Sequence, residues 1–226
     1  MERRSARSLA VEGLALRRSG QGEESFELRG LSLSLAGGEL VTIAGPSGCG
    51  KSSLLLALAG LIPFTAGTLV LDGKPWQAFS PAGWRARVGL APAEPVMVEG
   101  SVAENLRLAW RFKAARGGAH PNEGLLRDWL AAVGLEDLDP GADAGRLSTG
   151  QRQRVALVRH LLPRPEFLLL DEPSANLDPE AAKQVWQTLE RFRAETGAGV
   201  VCVTHGAPPL AATRALRFSG GLLEEV

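Results

Sequence analysis

The sequence predicts an α/β fold whose core is a mostly parallel sheet, with an antiparallel β flank and a helical insert. Three observations carry this prediction. Short apolar runs alternate with helical patterns, as they do in parallel sheets. A glycine-rich loop joins one of these runs to a helix. Two stretches near the N-terminus alternate apolar and polar residues, which is typical of half-exposed antiparallel strands.

The first half of the chain is predicted to contain five strands and one helix. A turn over residues 19–22 separates the first two strands, and Gly37-Gly38 precedes the third. The helix follows the glycine-rich loop over Lys51–Ala59 and ends near Gly60. The predicted strands are Leu9–Leu16, Phe26–Leu35, Glu39–Ala44, Gly67–Asp72 and Ala86–Ala91.

The second half opens with helical patterns and then returns to alternating strands and helices. No stretch has the composition of a linker, so we expect one domain over residues 9–226. Its core comprises 9–92 and 163–226, and a helical subdomain lies at about 93–162. The predicted helices are Val102–Ala115, Glu123–Val133, Gln151–Leu162 and Pro179–Glu195. The predicted strands are Phe167–Asp171, Val200–Thr204, Ala215–Phe218 and Leu222–Glu225.

Composition narrows the functional classes. Among 226 residues, 25 Lys+Arg balance 25 Asp+Glu, so the chain lacks the positive charge that tight nucleic-acid binding requires. The longest nearly continuous apolar run, Leu54–Phe64, has 11 residues, whereas a membrane-spanning helix needs about 20. The basic N-terminus is not followed by an apolar signal core, and there are only two cysteines. We therefore expect a cytoplasmic protein with no nucleic-acid partner.

The glycine-rich loop carries the strongest chemical signal. Residues 45–52, GPSGCGKS, fit the phosphate-loop pattern G-x-x-x-x-G-K-[ST] at every fixed position. Glycines let the backbone turn its N–H groups toward phosphate oxygens, and the helix that follows adds its positive dipole end. Lys51 is placed to reach the β- and γ-phosphates, and the Ser52 hydroxyl is placed to ligate Mg²⁺. The loop predicts binding of a nucleotide such as ATP.

Two acidic residues follow a second buried strand. Phe167–Leu170 are apolar, and Asp171 and Glu172 come directly after them. A phosphate loop needs a carboxylate on a second strand to hold Mg²⁺, which is the role predicted for Asp171. Glu172 is placed to accept a proton from a water that attacks the γ-phosphate. The pair predicts nucleotide hydrolysis.

Further motifs identify a family. Leu147-Ser148-Thr149-Gly150-Gln151 stands before the carboxylate strand and opens a helix. It resembles the LSGGQ signature of ATP-binding cassette (ABC) proteins, with Thr149 in place of the first glycine. Residues 174–178, SANLD, resemble the D-loop of that family, and His205 resembles its switch histidine. The resemblance extends from about Leu9 to Val226 and implies a P-loop NTPase with a RecA-like core.

The resemblance also implies partners and contacts. In ABC proteins two such domains pair head to tail, and the signature of one closes over ATP held by the phosphate loop of the other. The implied partners are a second ABC subunit and an integral-membrane permease, which would place the chain peripherally on the inner face of the cell membrane. Glu172, His205 and Lys51 are the implied catalytic residues, with Mg²⁺ on Ser52 and Asp171. The implied nucleotide contacts are Gly45, Pro46, Ser47, Gly48, Cys49, Gly50, Lys51, Ser52, Ser53, Arg18, Ser148, Gly150, Gln151 and Asp178.

Two positions depart from the family pattern. The aromatic residue that usually stacks on adenine is replaced by Arg18, or by Arg17, whose guanidinium plane either stacks on the base or is simply solvated. The Q-loop glutamine is replaced by Ala93, and Glu94 is the neighbouring polar candidate for its role. The second departure puts Mg²⁺ coordination and communication with a membrane partner in question.

The leading functional hypothesis is an ATP-hydrolysing subunit of a membrane transporter. Residues 101–110 and the phosphate loop are similar to the Fet-type iron export ATPases within the family, which suggests an exporter of a metal ion or small solute. One alternative is a soluble ABC ATPase in cofactor (iron-sulfur) assembly without a membrane partner. Another is a regulator that binds nucleotide and hydrolyses it poorly, as the Ala93 substitution suggests.

Overall fold

The computed structural model describes residues 7–18, 26–111, 120–204, 212–219 and 221–226. Within these ranges it contains two β-sheets, six α-helices and short 3-10 turns. The strands are β1 Ser8–Arg18, β2 Phe26–Ala36, β3 Leu40–Ala44, β4 Ala66–Leu71, β5 Lys74–Pro75, β6 Val88–Ala91, β7 Phe167–Asp171, β8 Gly199–Val203, β9 Arg214–Ser219 and β10 Leu222–Glu225. The helices are α1 Lys51–Leu58, α2 Pro81–Arg85, α3 Val102–Leu106, α4 Glu123–Ala132, α5 Thr149–Leu161 and α6 Pro179–Thr196.

The larger sheet confirms the predicted parallel core. Its six strands run in the order β10-β9-β3-β8-β7-β6, and every pair is parallel except β10 with β9. The central strands β7 and β8 are buried along their whole length. Both faces of a parallel sheet are covered in α/β folds, which explains why these strands are nearly continuous apolar runs. The carboxyl ends of β3 and β7 carry the phosphate loop and the acidic pair.

The antiparallel flank is a four-stranded sheet in the order β2-β1-β4-β5. The β1–β2 register shifts by one residue between Val11 and Leu14, and shifts back between Leu14 and Leu16. The glycines beside these shifts, Gly13 on β1 and Gly30 on β2, have φ of 62° and 68°. Because each strand contains one extra residue, the two bulges compensate and both sets of leucines stay on the buried face.

The two faces of the large sheet pack into different cores. On one face, the flank and α1 pack with alternate strand residues such as Leu169 and Val201. On the other face, α3 to α6 pack with the intervening residues, among them Leu168 and Leu170. The helix after the phosphate loop and the helix after the signature segment therefore belong to different cores. No helix within the described ranges is long and apolar enough to span a membrane.

The prediction of a continuous helix over Val102–Ala115 was wrong. The helix α3 ends at Leu106, a 3-10 turn covers Leu108–Arg111, and residues 112–115 lie outside the described ranges. Tertiary hydrogen bonds override the helical pattern here. The buried Asn105 amide bonds the backbone N–H and carbonyl of Val98, at 2.9 Å each, and the Arg107 guanidinium donates to a carbonyl of the following segment.

The sequence prediction also missed two short elements, β5 and α2. The start of α2 did have a sequence signal, because Ser80 caps the helix through the N–H of Gly83 and Pro81 occupies the first helical position. At five residues, α2 is too short for its apolar positions to repeat with a helical period.

Candidate nucleotide-binding site

The phosphate loop connects β3 to α1 and has a backbone that requires glycine. Gly48 and Gly50 have φ of 75° and 106°, in the region that favours glycine. A Cβ on Gly45 would lie 2.9 Å from both the Cβ and the carbonyl oxygen of Phe218. Gly50 precedes α1 and provides no side-chain cap, so the first N–H groups of the helix have no capping side chain. Such a helix start is a ready site for an anion.

The Lys51 side chain folds back over this loop. Its ammonium group donates to the carbonyls of Gly45 at 2.9 Å and Pro46 at 2.7 Å, and it lies 3.9 Å from the sulfur of Cys49. Only 6% of Lys51 is exposed. The structure therefore places the predicted phosphate-binding cation within the loop. Beside it, Ser52 is exposed on the first turn of α1.

The acidic pair ends β7 as predicted. Asp171 is 8% exposed, and its buried Oδ1 makes no hydrogen bond with any described residue. Glu172 takes a left-handed conformation with φ of 51°. Its backbone N–H donates to the Val203 carbonyl at 3.0 Å, and its carbonyl accepts from the Gln153 side chain at 3.0 Å. Bonds from β8 and α5 thus fix an unfavourable backbone conformation at this position.

The signature segment forms the N-terminus of α5. The Ser148 hydroxyl accepts from the N–H of Gln151 at 3.2 Å, and the Gln151 side chain accepts from the N–H of Ser148 at 2.9 Å. These reciprocal bonds are a capping box. Ser148 and Thr149 are exposed, and Gly150 is half-buried. Both Ser148 and Gln151, which were predicted to contact nucleotide, also stabilise the start of their own helix.

The D-loop packs beside the signature segment of the same chain. A Cβ on Gly150 would lie 3.3 Å from the Leu177 side chain, and Asn176 has a left-handed φ of 61°. Asp178 caps α6 by accepting from the N–H of Ala181 at 2.9 Å. That hydrogen bond lowers the pKa of Asp178. The side chain is exposed, and its predicted contact with nucleotide stays a prediction.

Two of the predicted positions lie at or beyond the limits of the described residues. His205 is outside the described residues, and Arg18 is described only as part of β1, so neither predicted contact is tested. Ala93 follows β6 and is exposed, as is Glu94. The segment containing them is held against α5 because the Arg159 guanidinium donates to the Val96 carbonyl at 2.8 Å.

Sequence reasoning missed three residues on α5: Gln153, Arg159 and His160. Gln153 bonds the Glu172 carbonyl, and Arg159 bonds Val96. The Nε2 of His160 is buried and makes no hydrogen bond with the described residues. The sequence does contain a signal for such residues, namely a polar side chain at a helix position whose neighbours on the same face are apolar. Among the described residues, no group of three or more His, Cys, Asp or Glu side chains is arranged to hold a metal ion.

The fold and this site define a P-loop nucleotide-binding protein. Comparison with known proteins agrees, because the family model described as "ABC transporter" matches residues 28–175. The chain is 34% identical over 178 residues to "Probable iron export ATP-binding protein FetA" of Escherichia coli, covering 79% of this chain and 77% of that protein. It is 37% identical over 200 residues to "Protein STAR1" of Oryza sativa, covering 87% of this chain. The chain spans 55% of the length of STAR1.

A solved structure shows the same fold. The "Structure of ATP binding subunit of ABC transporter" superposes with a TM-score of 0.80 at 25% identity, covering 95% of this chain and 87% of that one. The chain belongs to the ABC transporter family.

Proposed function

We propose that the chain binds ATP with Mg²⁺ and hydrolyses it to drive an ABC transporter from the cytoplasmic face of the cell membrane. The observation that best supports hydrolysis is the acidic pair at the end of β7. Asp171 offers a buried oxygen without a hydrogen-bond partner, and Glu172 follows it in a fixed backbone conformation. Nucleotide binding without hydrolysis would not need a second carboxylate at this position.

The phosphate loop holds the triphosphate in this proposal. The N–H groups of Gly45, of residues 47–50 and of the first turn of α1, including Ser53, donate to phosphate oxygens, and Pro46, which has no N–H, contributes only to the shape of the loop. Lys51 exchanges its bonds to the loop carbonyls for bonds to the β- and γ-phosphates, which are stronger because both partners are charged. Arg18 stacks on the adenine in place of an aromatic residue.

The Ser52 hydroxyl and the Asp171 carboxylate would hold Mg²⁺. Both are oxygen donors of the kind that this ion prefers, and the Asp171 carboxylate has two oxygens, of which the buried Oδ1 makes no hydrogen bond with a described residue. When bound, Mg²⁺ neutralises charge on the phosphates. Glu172 accepts the proton of the attacking water, and His205 donates a hydrogen bond to the γ-phosphate.

A second copy of the chain, or a close homologue, completes the site. Ser148, Gly150 and Gln151 of one subunit meet the phosphates bound by the other, with Asp178 at the same interface. The arrangement within one chain supports this pairing, because the phosphate-loop helix and the signature helix pack on opposite faces of the sheet. An exposed serine at a helix N-terminus suits contact with a phosphate carried by another subunit.

Hydrolysis by Glu172 is tested with Glu172→Gln, which keeps the shape and removes the base. We expect ATP affinity to be unchanged and turnover to fall by about 10²-fold or more. The matched control is Glu180→Gln, the same chemical change at an exposed residue in the first turn of α6. Turnover of Glu172→Gln within twofold of the control would reject Glu172 as the base.

The transport function is tested by purification of the tagged chain from membranes of its own cells. We expect a multi-span permease to co-purify and to stimulate ATP hydrolysis. Similarity to FetA supports an exporter of a metal ion or small solute, which efflux from vesicles containing the complex would test. An ATPase recovered only with soluble cofactor-assembly proteins would support the alternative function and reject this one.

A further inference from the structure

A small cavity lies between α5, the end of β7 and the segment that follows β6. Its volume is about 20 Å³, enough for about one water molecule. Pro92 and Pro95 line one side, Gln153 and His160 line the α5 side, and Asp171 lines the end. Neither Ala93 nor Glu94 contributes to its wall, since both point to solvent.

Two residues that line the cavity each have a buried polar atom without a hydrogen bond to any described residue: Nε2 of His160 and Oδ1 of Asp171. A buried polar atom without a partner is destabilising, so two on residues that line one small cavity indicate a shared partner. Gln153, which also lines the cavity, bonds neither atom, and its Nε2 donates to the Glu172 carbonyl.

The chemistry of the two atoms fits a water molecule. Burial, together with the charge of Arg159, lowers the pKa of His160 to about 4, so the imidazole is neutral at neutral pH. The carboxylate oxygen only accepts, and a water donates one hydrogen to it. The water then either donates its second hydrogen to His160 Nε2 or accepts from it, so the bridge forms with either tautomer.

We infer that one ordered water bridges His160 and Asp171, and that His160 is a positioning residue for the Mg²⁺-binding carboxylate. The role of His160 rests on the proposed function, whereas the water itself does not. The residues of the segment after β6 that line the cavity, Pro92 and Pro95, have no polar side-chain atom. His160 therefore provides a polar contact beside the Mg²⁺ site from α5. Ala93 cannot provide such a contact, because its side chain has no polar atom.

The water is tested in a high-resolution crystal structure of the nucleotide-free protein. We expect one ordered water within about 3 Å of both His160 Nε2 and Asp171 Oδ1. A cavity without that water, or a water bonded to only one of the two atoms, would overturn the inference. This experiment needs no ATPase activity, so its result stands even if the proposed function fails.

The positioning role is tested by the Mg²⁺ dependence of ATP binding, measured by titration calorimetry. His160→Leu keeps much of the side-chain volume but removes both nitrogens, while His160→Gln keeps a polar atom near the position of Nε2. We expect His160→Leu to raise the Mg²⁺ midpoint about threefold to tenfold, the effect of one lost hydrogen bond. His160→Gln should lie within about twofold of the wild type, since it restores that bond.

Leu157→Ala is the matched structural control, because Leu157 lines the same cavity and has no polar side-chain atom. It should lower the melting temperature without moving the Mg²⁺ midpoint. A folded His160→Leu protein with a wild-type Mg²⁺ midpoint would refute the positioning role. An equal shift of the midpoint in Leu157→Ala would also refute it, because loss of packing would then explain the effect.

Discussion

The phosphate loop and the signature segment are both polar turns that open a helix, yet their helix starts are built differently. The phosphate loop precedes α1 with a glycine that caps nothing, and it encloses a buried lysine. The signature segment precedes α5 with a complete capping box between Ser148 and Gln151, on an exposed surface. The first N–H groups of α1 have no capping side chain and can bind an anion, whereas the start of α5 is capped by side chains of the same chain and is exposed. The difference indicates that the loop leaves its helix start free to bind an anion, whereas the signature segment uses Ser148 and Gln151 to stabilise its own helix.

The largest expected effect concerns the buried cation. Lys51→Met keeps the apolar stem and removes the charge, so the chain loses its charge-assisted bonds to phosphate and ATP affinity should fall about 10- to 100-fold. The melting temperature of the nucleotide-free protein should fall only slightly, because Met cannot donate to the carbonyls of Gly45 and Pro46 but keeps the packing of the stem. Calorimetric titration and thermal unfolding measure the two quantities. Unchanged affinity would show that nucleotide does not depend on this loop.

The signature segment is tested without disturbing its cap. Asp and Asn are both good N-caps, so Ser148→Asp and Ser148→Asn should each preserve α5 and the melting temperature. In a Glu172→Gln background, light scattering should detect a dimer with ATP for Ser148→Asn. The dimer should be lost in Ser148→Asp, whose carboxylate repels phosphate. Equal dimerisation of both variants would show that Ser148 does not face nucleotide.

A smaller effect is expected from close packing of the loop. Gly45→Ala places a Cβ against Phe218 on β9 and should cost about 1–3 kcal/mol of unfolding free energy. Gly38→Ala is the control. The φ angle of Gly38 is 78° and a Cβ there would meet no atom within 4 Å, so this substitution costs only backbone conformational energy. That cost is about 1–2 kcal/mol. Chemical denaturation compares the two, and a Gly45→Ala protein as stable as wild type would show that β9 moves away freely.

The smallest effect is expected from restoring the missing glutamine. Octahedral Mg²⁺ accepts water at a position that no side chain fills, so Ala93→Gln should change the Mg²⁺ midpoint of hydrolysis less than about tenfold. Ala93 is exposed, so the substitution should leave stability unaltered. An increase in turnover by orders of magnitude would instead favour the regulatory hypothesis over the transport one. Glu94→Ala, measured alongside, would lose turnover only if Glu94 had taken the role of the glutamine.

The sequence predicted the elements whose structure depends on local patterns. Strand β7 has the predicted bounds because it is a short apolar run buried on both sides, and the start of α5 was indicated by its capping residues. The end of α3 was not predictable, because side-chain bonds from Asn105 to a distant backbone decide it. The cavity beside Asp171 could not be predicted from the sequence either, because it is formed by three segments that meet only in the folded chain.

The position of Lys51 has a consequence for the nucleotide-free state of the protein. A turnover cycle must return through a state from which the product has left. In that state a buried ammonium without a hydrogen-bond acceptor would be unfavourable. The carbonyls of Gly45 and Pro46 accept its hydrogens instead, at 2.9 and 2.7 Å. In the proposed function, departure of ADP therefore exchanges one set of Lys51 hydrogen bonds for another, so that product release does not leave a buried ammonium without an acceptor.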